Sequence, residues 1–193
     1  TAEEVWQKAM RYRPYWKDNG GITGSGGEGL LQIEFVTELF RLARLAGVNT
    51  ALDTAGGPFI CDPDYLARFD SLMQVTDLFI LDIKHSDPAK HKDLTGTDNY
   101  NIHKMARYIG DKGGRLWIRH VLVPNVTDSY DDLIGLKEFV GSLKGVDRFE
   151  ILPYHSMGIT KWEKLGIPYT LKDTPTPTEE DIKRAERLLG LRD

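Results

Sequence analysis

Cysteine is almost absent from this sequence, because Cys61 is the only one among 193 residues. An internal disulfide requires two cysteines and a multi-cysteine metal site requires more, so the chain alone supplies neither. A single thiol is typical of proteins in a reducing compartment, and we therefore expect a cytoplasmic location.

Long apolar runs and an excess of positive charge are also lacking. No stretch approaches the roughly 20 apolar residues of a bilayer-spanning helix, and no basic segment followed by an apolar one opens the chain. The 25 lysine and arginine residues are outnumbered by 29 aspartate and glutamate residues, which gives a net charge of -4. A membrane or a nucleic acid is therefore not expected as a partner, and the sequence favours a small molecule or another protein.

The sequence does contain a regular alternation of β-rich and helical segments. The β-rich runs cover residues 21–25, 49–54, 78–84, 116–123 and 149–154, and they start 28, 29, 38 and 33 residues apart. Helical patterns between them include Phe35, Leu39, Leu42 and Leu45 in the first gap and Leu133, Leu136, Phe139, Val140 and Leu143 in the fourth. This order predicts an α/β fold with five parallel strands and outer helices, and spacing near ~31 residues per unit suggests a partial TIM-like barrel.

Two of the strand runs and both chain ends carry further predictions. Residues 78–81 and 116–118 are apolar without interruption, as in strands that are covered on both faces. Thr1 with Glu4 predicts a capping box, and Thr178 with Asp181 predicts another ahead of a helix over 179–189. Since a mature protein seldom begins on its own helix cap, we expect upstream chain, although an ordinary N-terminal helix fits the pattern equally.

Ionisable and polar residues gather at the carboxyl end of every predicted strand. They are Ser25 to Glu28, Asp53 with Thr54, Asp82 with Lys84, Arg119 with His120, and Tyr154 with His155. Ligands of parallel α/β proteins bind at this edge, because the strands end there and the following helices point their N-termini towards it. We therefore expect these residues to line one ligand pocket.

The first strand leads into a glycine-rich turn that has two interpretations. Gly24-x-Gly26-x-x-Gly29 formally matches the dinucleotide fingerprint, and Asp53 lies 24 residues beyond Gly29, near where a ribose-binding acid is expected. Glu28 opposes this interpretation, because it places a carboxylate in a turn that must hold an anionic diphosphate. The turn suits the ammonium group of an amino acid better.

The charged residues after the second, third and fourth strands leave several kinds of ligand open. Asp82-x-Lys84 places an anion and a cation on one face, which fits a zwitterion, a carboxylate with a ribose diol, a metal-bridged anion or a plain salt pair. Asp53, Thr54 and Asp82 offer the oxygen ligands that hard cations prefer. Arg119 is suited to grip a carboxylate, or to pair with Asp53 or Asp82.

Five histidines occur in the sequence, and one of them lies at a predicted strand end. His155 has the chemistry to stack on or hydrogen-bond a base, although a lone loop histidine is usually structural. The other four, His85, His91, His103 and His120, show no metal-ligand spacing, and we expect them to be structural.

Five short motifs follow one another along the chain: GITGSGGE at 21–28, LDT at 52–54, LDIK at 81–84, WIRHVLVP at 117–124 and LPYHSMG at 152–158. Their order resembles that of the pyruvate formate-lyase activating enzymes, which are radical S-adenosylmethionine (SAM) proteins. Each motif alone is moderately specific. The series of five, which spans nearly the whole chain, carries the resemblance.

The resemblance implies roles for residues that would hold SAM. Gly26, Gly27 and Glu28 correspond to the motif that binds the amino group of its methionine end. Asp82 and Lys84 correspond to residues near its carboxylate and its ribose.

The resemblance also implies an adenine site, a substrate site and a cation site. His155 corresponds to the residue near the adenine, and Arg119 to one near the glycyl peptide of the substrate. The positions that hold a monovalent cation beside SAM correspond to Asp53, Thr54, the backbone of Ile80, and Asp82.

The reaction implied by the resemblance is reductive cleavage of SAM by a [4Fe-4S] cluster. The resulting 5'-deoxyadenosyl radical abstracts hydrogen from a backbone glycine of a glycyl radical enzyme such as pyruvate formate-lyase, and an electron donor such as flavodoxin is a second implied partner. The C-x-x-x-C-x-x-C loop of the family, which lies just before the opening helix, is absent here, and Cys61 alone cannot ligate the cluster.

We therefore expect residues 1–193 to be one radical SAM core domain that comprises strands two to six of a six-stranded partial barrel. By itself it is expected to be inactive in the radical reaction. Two alternatives stay open at this point, a cluster-free dinucleotide-binding oxidoreductase and a non-catalytic binding or scaffold protein.

Overall fold

A computed structural model of the chain describes residues 1–17 and 20–191. The strands are β1 (Gly21–Gly24), β2 (Asn49–Thr54), β3 (Leu78–Asp82), β4 (Leu116–Leu122) and β5 (Val146–Pro153). The helices are α1 (Ala2–Met10), α2 (Ile33–Leu45), α3 (Pro63–Met73), α4 (Pro88–Thr95), α5 (Tyr100–Asp111), α6 (Tyr130–Gly141), α7 (Ile159–Leu165) and α8 (Glu179–Leu189). Short 3-10 helices cover Arg13–Tyr15, Gly29–Gln32 and Ser156–Gly158.

The strands form one parallel sheet in the order β1-β2-β3-β4-β5, so neighbours in sequence are neighbours in space. This confirms the predicted α/β fold with five parallel strands and outer helices. β5 begins three residues earlier than predicted, at Val146 rather than Phe149. β3 ends at Asp82, and Ile83 continues its ladder by one bond, in which the Ile83 amide donates to the Arg119 carbonyl at 2.9 Å.

The two faces of the sheet differ in burial. Leu52, Phe79 and Leu116 lie on the face that packs under the helices, and each is at most 1% exposed. The alternate residues, such as Ile80 and Trp117, are only partly buried on the other face. The expected burial on both faces is therefore found on one face only, since every second residue of these strands keeps part of its surface exposed.

The helices bury apolar stripes, and in α2 the stripe is shifted from the predicted one. Its buried residues are Ile33, Val36, Leu39, Phe40 and Ala43. Leu45 was predicted to face the core, yet it is 74% exposed because it is the last residue of the helix and lies off the stripe. In α6 the buried residues are the predicted Leu133, Leu136, Phe139 and Val140.

Both predicted capping boxes are confirmed. The Thr1 hydroxyl accepts from the Glu4 amide at 3.2 Å, and the Thr178 hydroxyl accepts from the Asp181 amide at 3.2 Å. Each box satisfies amide groups that have no partner within the first turn of a helix. Across residues 1–17 and 20–191, every helix falls short of the length and apolarity that crossing a membrane requires.

His120, which is 3% exposed, couples the stability of the fold to pH. Burial lowers the pKa of His120 from 6.5 to about 4, so the folded protein holds a neutral imidazole where the unfolded chain already binds a proton. The contribution of His120 to stability is complete above the pKa that its imidazole has in the unfolded chain. It is lost as the pH falls towards the pKa of His120 in the folded protein. Urea titrations should show the free energy of unfolding falling between about pH 7 and about pH 4, with at most ~1.4 kcal/mol per pH unit from this group.

The matched variant for this prediction is His120→Asn, which keeps a side-chain N–H donor and removes the titrating group. Its unfolding free energy should depend less steeply on pH than that of the wild type. Equal slopes for the two proteins would show that His120 does not produce the pH dependence.

Candidate functional site

The turn that follows β1 presents its backbone to the surroundings. Gly26 and Gly27 have φ angles of 87° and 54°, in the left-handed region that favours glycine. A Cβ atom at either position would meet no heavy atom within 4 Å. The backbone here is therefore open to a ligand, and conformation rather than crowding is what requires glycine.

Glu28 fixes this turn to the end of β2. Its carboxylate accepts hydrogen bonds from the Thr54 hydroxyl at 2.6 Å and from the amides of Leu30 and Ala55 at 3.0 Å each. The Thr54 hydroxyl in turn accepts from the Gly56 amide at 2.9 Å. Glu28 was predicted to face a ligand ammonium, whereas in the structure both of its oxygens hold the protein's own groups.

The same contacts argue against the dinucleotide interpretation. Glu28 caps the 3-10 helix Gly29–Gln32, so its negative charge sits on the amide of Leu30 that a diphosphate would need. The long helix α2 begins only at Ile33, four residues after Gly29. The sequence therefore matches the dinucleotide fingerprint, but the turn does not have the anion-binding geometry.

A row of alternating charges crosses the carboxyl ends of β2, β3 and β4. The Arg119 guanidinium donates to Asp82 at 2.9 Å and to Asp53 at 2.6 Å, and Lys84 donates to the second oxygen of Asp82 at 2.7 Å. The sequence left open whether Arg119 pairs with Asp53 or with Asp82, and it pairs with both. The side chains of these four residues are between 19% and 33% exposed.

This row, made by Asp53, Arg119, Asp82 and Lys84, contains two negative and two positive groups and is therefore neutral. Partial burial strengthens each pair relative to a fully exposed one and makes it costly to remove a single member. The row is suited to a ligand that carries both signs of charge. Such a ligand would exchange internal ion pairs for external ones without adding net charge to the site.

The predicted monovalent-cation positions overlap this row. Asp53 and Asp82 each turn an oxygen to Arg119, the Thr54 hydroxyl is held by Glu28 and Gly56, and Ile80 is partly buried in β3. Across residues 1–17 and 20–191, no three histidine, cysteine, aspartate or glutamate side chains come together in a metal-binding arrangement.

His155 lies just beyond β5 and is exposed. Its neighbour Tyr154 is 5% exposed, and the Tyr154 hydroxyl lies 3.1 Å from the Tyr169 hydroxyl and donates to the Leu171 carbonyl at 3.0 Å. The strand end is thus anchored by the tyrosine, while the imidazole stays free to contact a ligand.

Sequence reasoning missed Trp117, Arg148 and Glu150, which share the inner face of the sheet, the face opposite the fully buried one. Glu150 stands opposite Arg119 in the β4–β5 register, and Arg148 stands opposite Trp117. The Arg148 guanidinium lies 4.3 Å from the centroid of the Trp117 ring and 2.7 Å from the Glu150 carboxylate. The alternation of Arg148 and Glu150 along one face of β5 was the available signal, but β5 was predicted to begin after Arg148.

Comparison with known proteins gives consistent matches. Residues 1–136 match the family model described as the radical SAM superfamily. The chain is 50% identical over 189 residues to the pyruvate formate-lyase-activating enzyme of Streptococcus mutans, covering 98% of this chain and 72% of that enzyme. The enzyme of the same name from Staphylococcus aureus is 45% identical over 193 residues, which cover 100% of this chain and 77% of that enzyme.

Solved structures share the fold. A domain of a pyruvate-formate lyase-activating enzyme from Bacteroides vulgatus has a TM-score of 0.70 at 24% identity, covering 88% of this chain and 92% of that one. SuiB of Streptococcus suis, solved with bound S-adenosylmethionine, has a TM-score of 0.67 at 19% identity, covering 98% of this chain and 40% of that one.

The three hydrogen bonds accepted by Glu28 generate a stability prediction. In Glu28→Gln, one acceptor oxygen becomes an NH2 group that faces a backbone or hydroxyl donor, so at least one of the three donors loses its partner. We expect the free energy of unfolding in urea to fall by about 1 to 3 kcal/mol.

The matched control is Glu38→Gln on α2, where an exposed carboxylate pairs with Arg41. That substitution should change the unfolding free energy by less than about 1 kcal/mol. Equal effects of the two substitutions would contradict the role given to Glu28.

Proposed function

Because this chain belongs to the pyruvate formate-lyase-activating enzymes of the radical SAM superfamily, we propose that its strand ends bind S-adenosylmethionine for the activation of a glycyl radical enzyme. The observation that carries the proposal is the neutral row Asp53-Arg119-Asp82-Lys84 beside the open Gly26–Gly27 turn. SAM carries an ammonium, a carboxylate and a sulfonium on one small molecule. A site with both signs of charge and an exposed peptide turn matches that chemistry.

The proposed binding mode follows the two ends of the cofactor. Backbone carbonyls at Gly26 and Gly27 accept from the methionine ammonium, and Glu28 holds the turn in place through Leu30 and Ala55. The Glu28 carboxylate accepts three hydrogen bonds and has capacity for a fourth, so it is also assigned to the ammonium.

At the other end of the row, we assign Lys84 to the carboxylate and Asp82 to the ribose hydroxyls. Lys84 is one-third exposed and carries its charge on a flexible stem, so it is able to turn from Asp82 to an incoming carboxylate. The exposed imidazole of His155 is assigned to the adenine.

The partner that would be activated is a glycyl radical enzyme such as pyruvate formate-lyase. Arg119 is the residue assigned to its glycyl peptide, because a guanidinium offers several donors to peptide carbonyls. Its bonds to Asp53 and Asp82 use two of the five N–H groups of the guanidinium, so it can donate to the peptide while keeping both. The proposal also includes an electron donor such as flavodoxin, a cytoplasmic location and a single domain over residues 1–193.

A [4Fe-4S] cluster does not fit the residues of this chain. The cluster needs three or four thiolates, and Cys61, an exposed residue between β2 and α3, is the only cysteine in the sequence. What the chain's own residues would do is bind SAM, orient it and receive the glycyl peptide.

Lys84→Ala tests the binding role by calorimetric titration of the chain with SAM. Removing the ammonium should weaken SAM binding by about 1 to 3 kcal/mol, because the carboxylate of the ligand loses a charged partner. Lys144→Ala removes an exposed lysine that pairs with Asp111, and it should leave SAM affinity unchanged. Tight binding of NAD with no response to SAM would instead favour the dinucleotide alternative, which the comparisons do not support.

A monovalent cation at Asp53, Thr54, Ile80 and Asp82 is a further part of the proposal. In the structure the Arg119 guanidinium supplies the positive charge between the two carboxylates, so an inorganic cation and this guanidinium compete for the same oxygens. In Arg119→Ala, the thermal stability of the protein should therefore depend on the added cation.

The measurement compares melting temperatures in potassium chloride and in choline chloride at equal ionic strength, so that general screening is matched. Potassium should raise the melting temperature of Arg119→Ala more than that of the wild type. The same response in both proteins would contradict a cation site between Asp53 and Asp82.

A further inference from the structure

The segment just after β3 lacks regular secondary structure but is held on several sides. It runs from Ile83 to Ser86 and contains Lys84, the residue assigned to the SAM carboxylate. Ile83 is 1% exposed and His85 is 2% exposed, so buried residues flank the partly exposed lysine on both sides. The position of Lys84 therefore depends on how its two neighbours are fixed.

His120 on β4 fixes the chain on the N-terminal side of Lys84. Its Nδ1 lies 2.8 Å from the Ile83 carbonyl oxygen. A carbonyl only accepts, so the proton of the neutral imidazole is on Nδ1, and burial lowers the pKa of His120 far enough to keep the ring neutral near pH 7. The bond is thus made by a group that is buried and neutral.

Asn99, just before α5, fixes the chain on the C-terminal side of Lys84. It is 1% exposed, and its amide donates to the carbonyls of His85 at 2.8 Å and Ser86 at 3.0 Å. Both donors of one side chain are used on two consecutive carbonyls. This arrangement fixes the amide orientation and leaves the backbone at 85–86 little freedom.

His85 adds a third attachment. Its Nδ1 accepts from the Asp87 amide at 2.9 Å, and its Nε2 lies 3.3 Å from the Asp132 carboxylate at the start of α6. Burial lowers the pKa of His85, while Asp132 opposes that shift. The segment around Lys84 is therefore tied to β4, to the loop before α5 and to α6.

We propose that His120 and Asn99 are positioning residues for SAM binding, which hold the main chain on both sides of Lys84 so that the Asp82–Lys84 pair is presented to the ligand. Neither is proposed to touch SAM. The inference rests on the proposed function, because it gives these buried side chains a role through Lys84. Packing alone would require burial, but it would not require three side-chain donors aimed at the carbonyls of Ile83, His85 and Ser86.

The chain offers a matched control in His91. Like His120, it is 3% exposed, and its Nδ1 lies 2.7 Å from a backbone carbonyl oxygen, that of Thr97. That carbonyl follows α4 and is not a neighbour of Lys84. A general cost of losing a buried imidazole should therefore appear in both variants, and a positioning effect in only one.

The experiment measures SAM affinity by calorimetry and thermal stability for His120→Leu and His91→Leu. Both should melt at lower temperature than the wild type, but only His120→Leu should lose affinity, by about tenfold. His120→Asn should restore most of the affinity, because its amide supplies a donor near the Nδ1 position. In a Lys84→Ala background, His120→Leu should cause little further loss, because the two residues act through one contact.

The other outcomes of this experiment contradict either the positioning role or the proposed function. Wild-type affinity in folded His120→Leu, or equal losses in His120→Leu and His91→Leu, overturns the positioning role and leaves the proposed function intact. Should His120→Leu fail to fold, Asn99→Ala takes its place, and unchanged SAM affinity there overturns the inference. A wild-type chain that binds no SAM contradicts the proposed function itself, and the inference fails with it.

Discussion

The parallel register between β3 and β4 is the constraint on which the site depends, because it sets Asp82 directly opposite Arg119. From that pairing the guanidinium also reaches Asp53 on β2, and Lys84 closes the row from the other side of Asp82. A slip of one residue would turn one partner to the helix-covered face. The apolar residues that alternate with the charged ones, such as Leu81 and Ile118, are fully buried and hold the register in place.

The hydrogen bonds around the row divide the site into parts with different freedom. Glu28 and Thr54 tie the glycine turn to β2 through backbone amides, so that side of the site is preorganised. The side chains of Arg119 and Lys84 are held by other charged side chains, and these bonds are exchangeable with a ligand. The fixed glycine turn suits recognition of one constant group of the ligand. The exchangeable pairs of Arg119 and Lys84 suit a site that binds first one ligand and then another.

Much of the fold followed from local sequence patterns. The alternation of strands and helices and the capping boxes of Thr1 and Thr178 were predictable because each depends on residues close together in sequence. The half-open inner face was not predictable, since an apolar residue such as Ile80 does not reveal which side the helices will cover. The exposure of Leu45 was missed because a helix end is set by a few bonds that periodicity does not report.

The candidate site was predictable as a set of residues but not as a set of bonds. Asp53, Asp82, Lys84 and Arg119 do come together, yet their mutual pairing is a long-range property of the register. The buried histidines were expected to be structural because no ligand spacing connects them. The partner of His120 is the carbonyl of Ile83, which is distant in sequence, and a carbonyl leaves no trace in the sequence.

The carboxylate of Glu28 also bears on selectivity inside a cell. Adenosine phosphates such as ATP are abundant there and share their nucleoside with SAM, so a pocket that recognised adenosine alone would be occupied by them. With its acid placed on the Leu30 amide at the first turn after β1, the protein presents a negative charge where a polyphosphate chain would otherwise find free donors. The residue that shapes the glycine turn thus also disfavours a polyphosphate at the Leu30 amide, by charge rather than by shape.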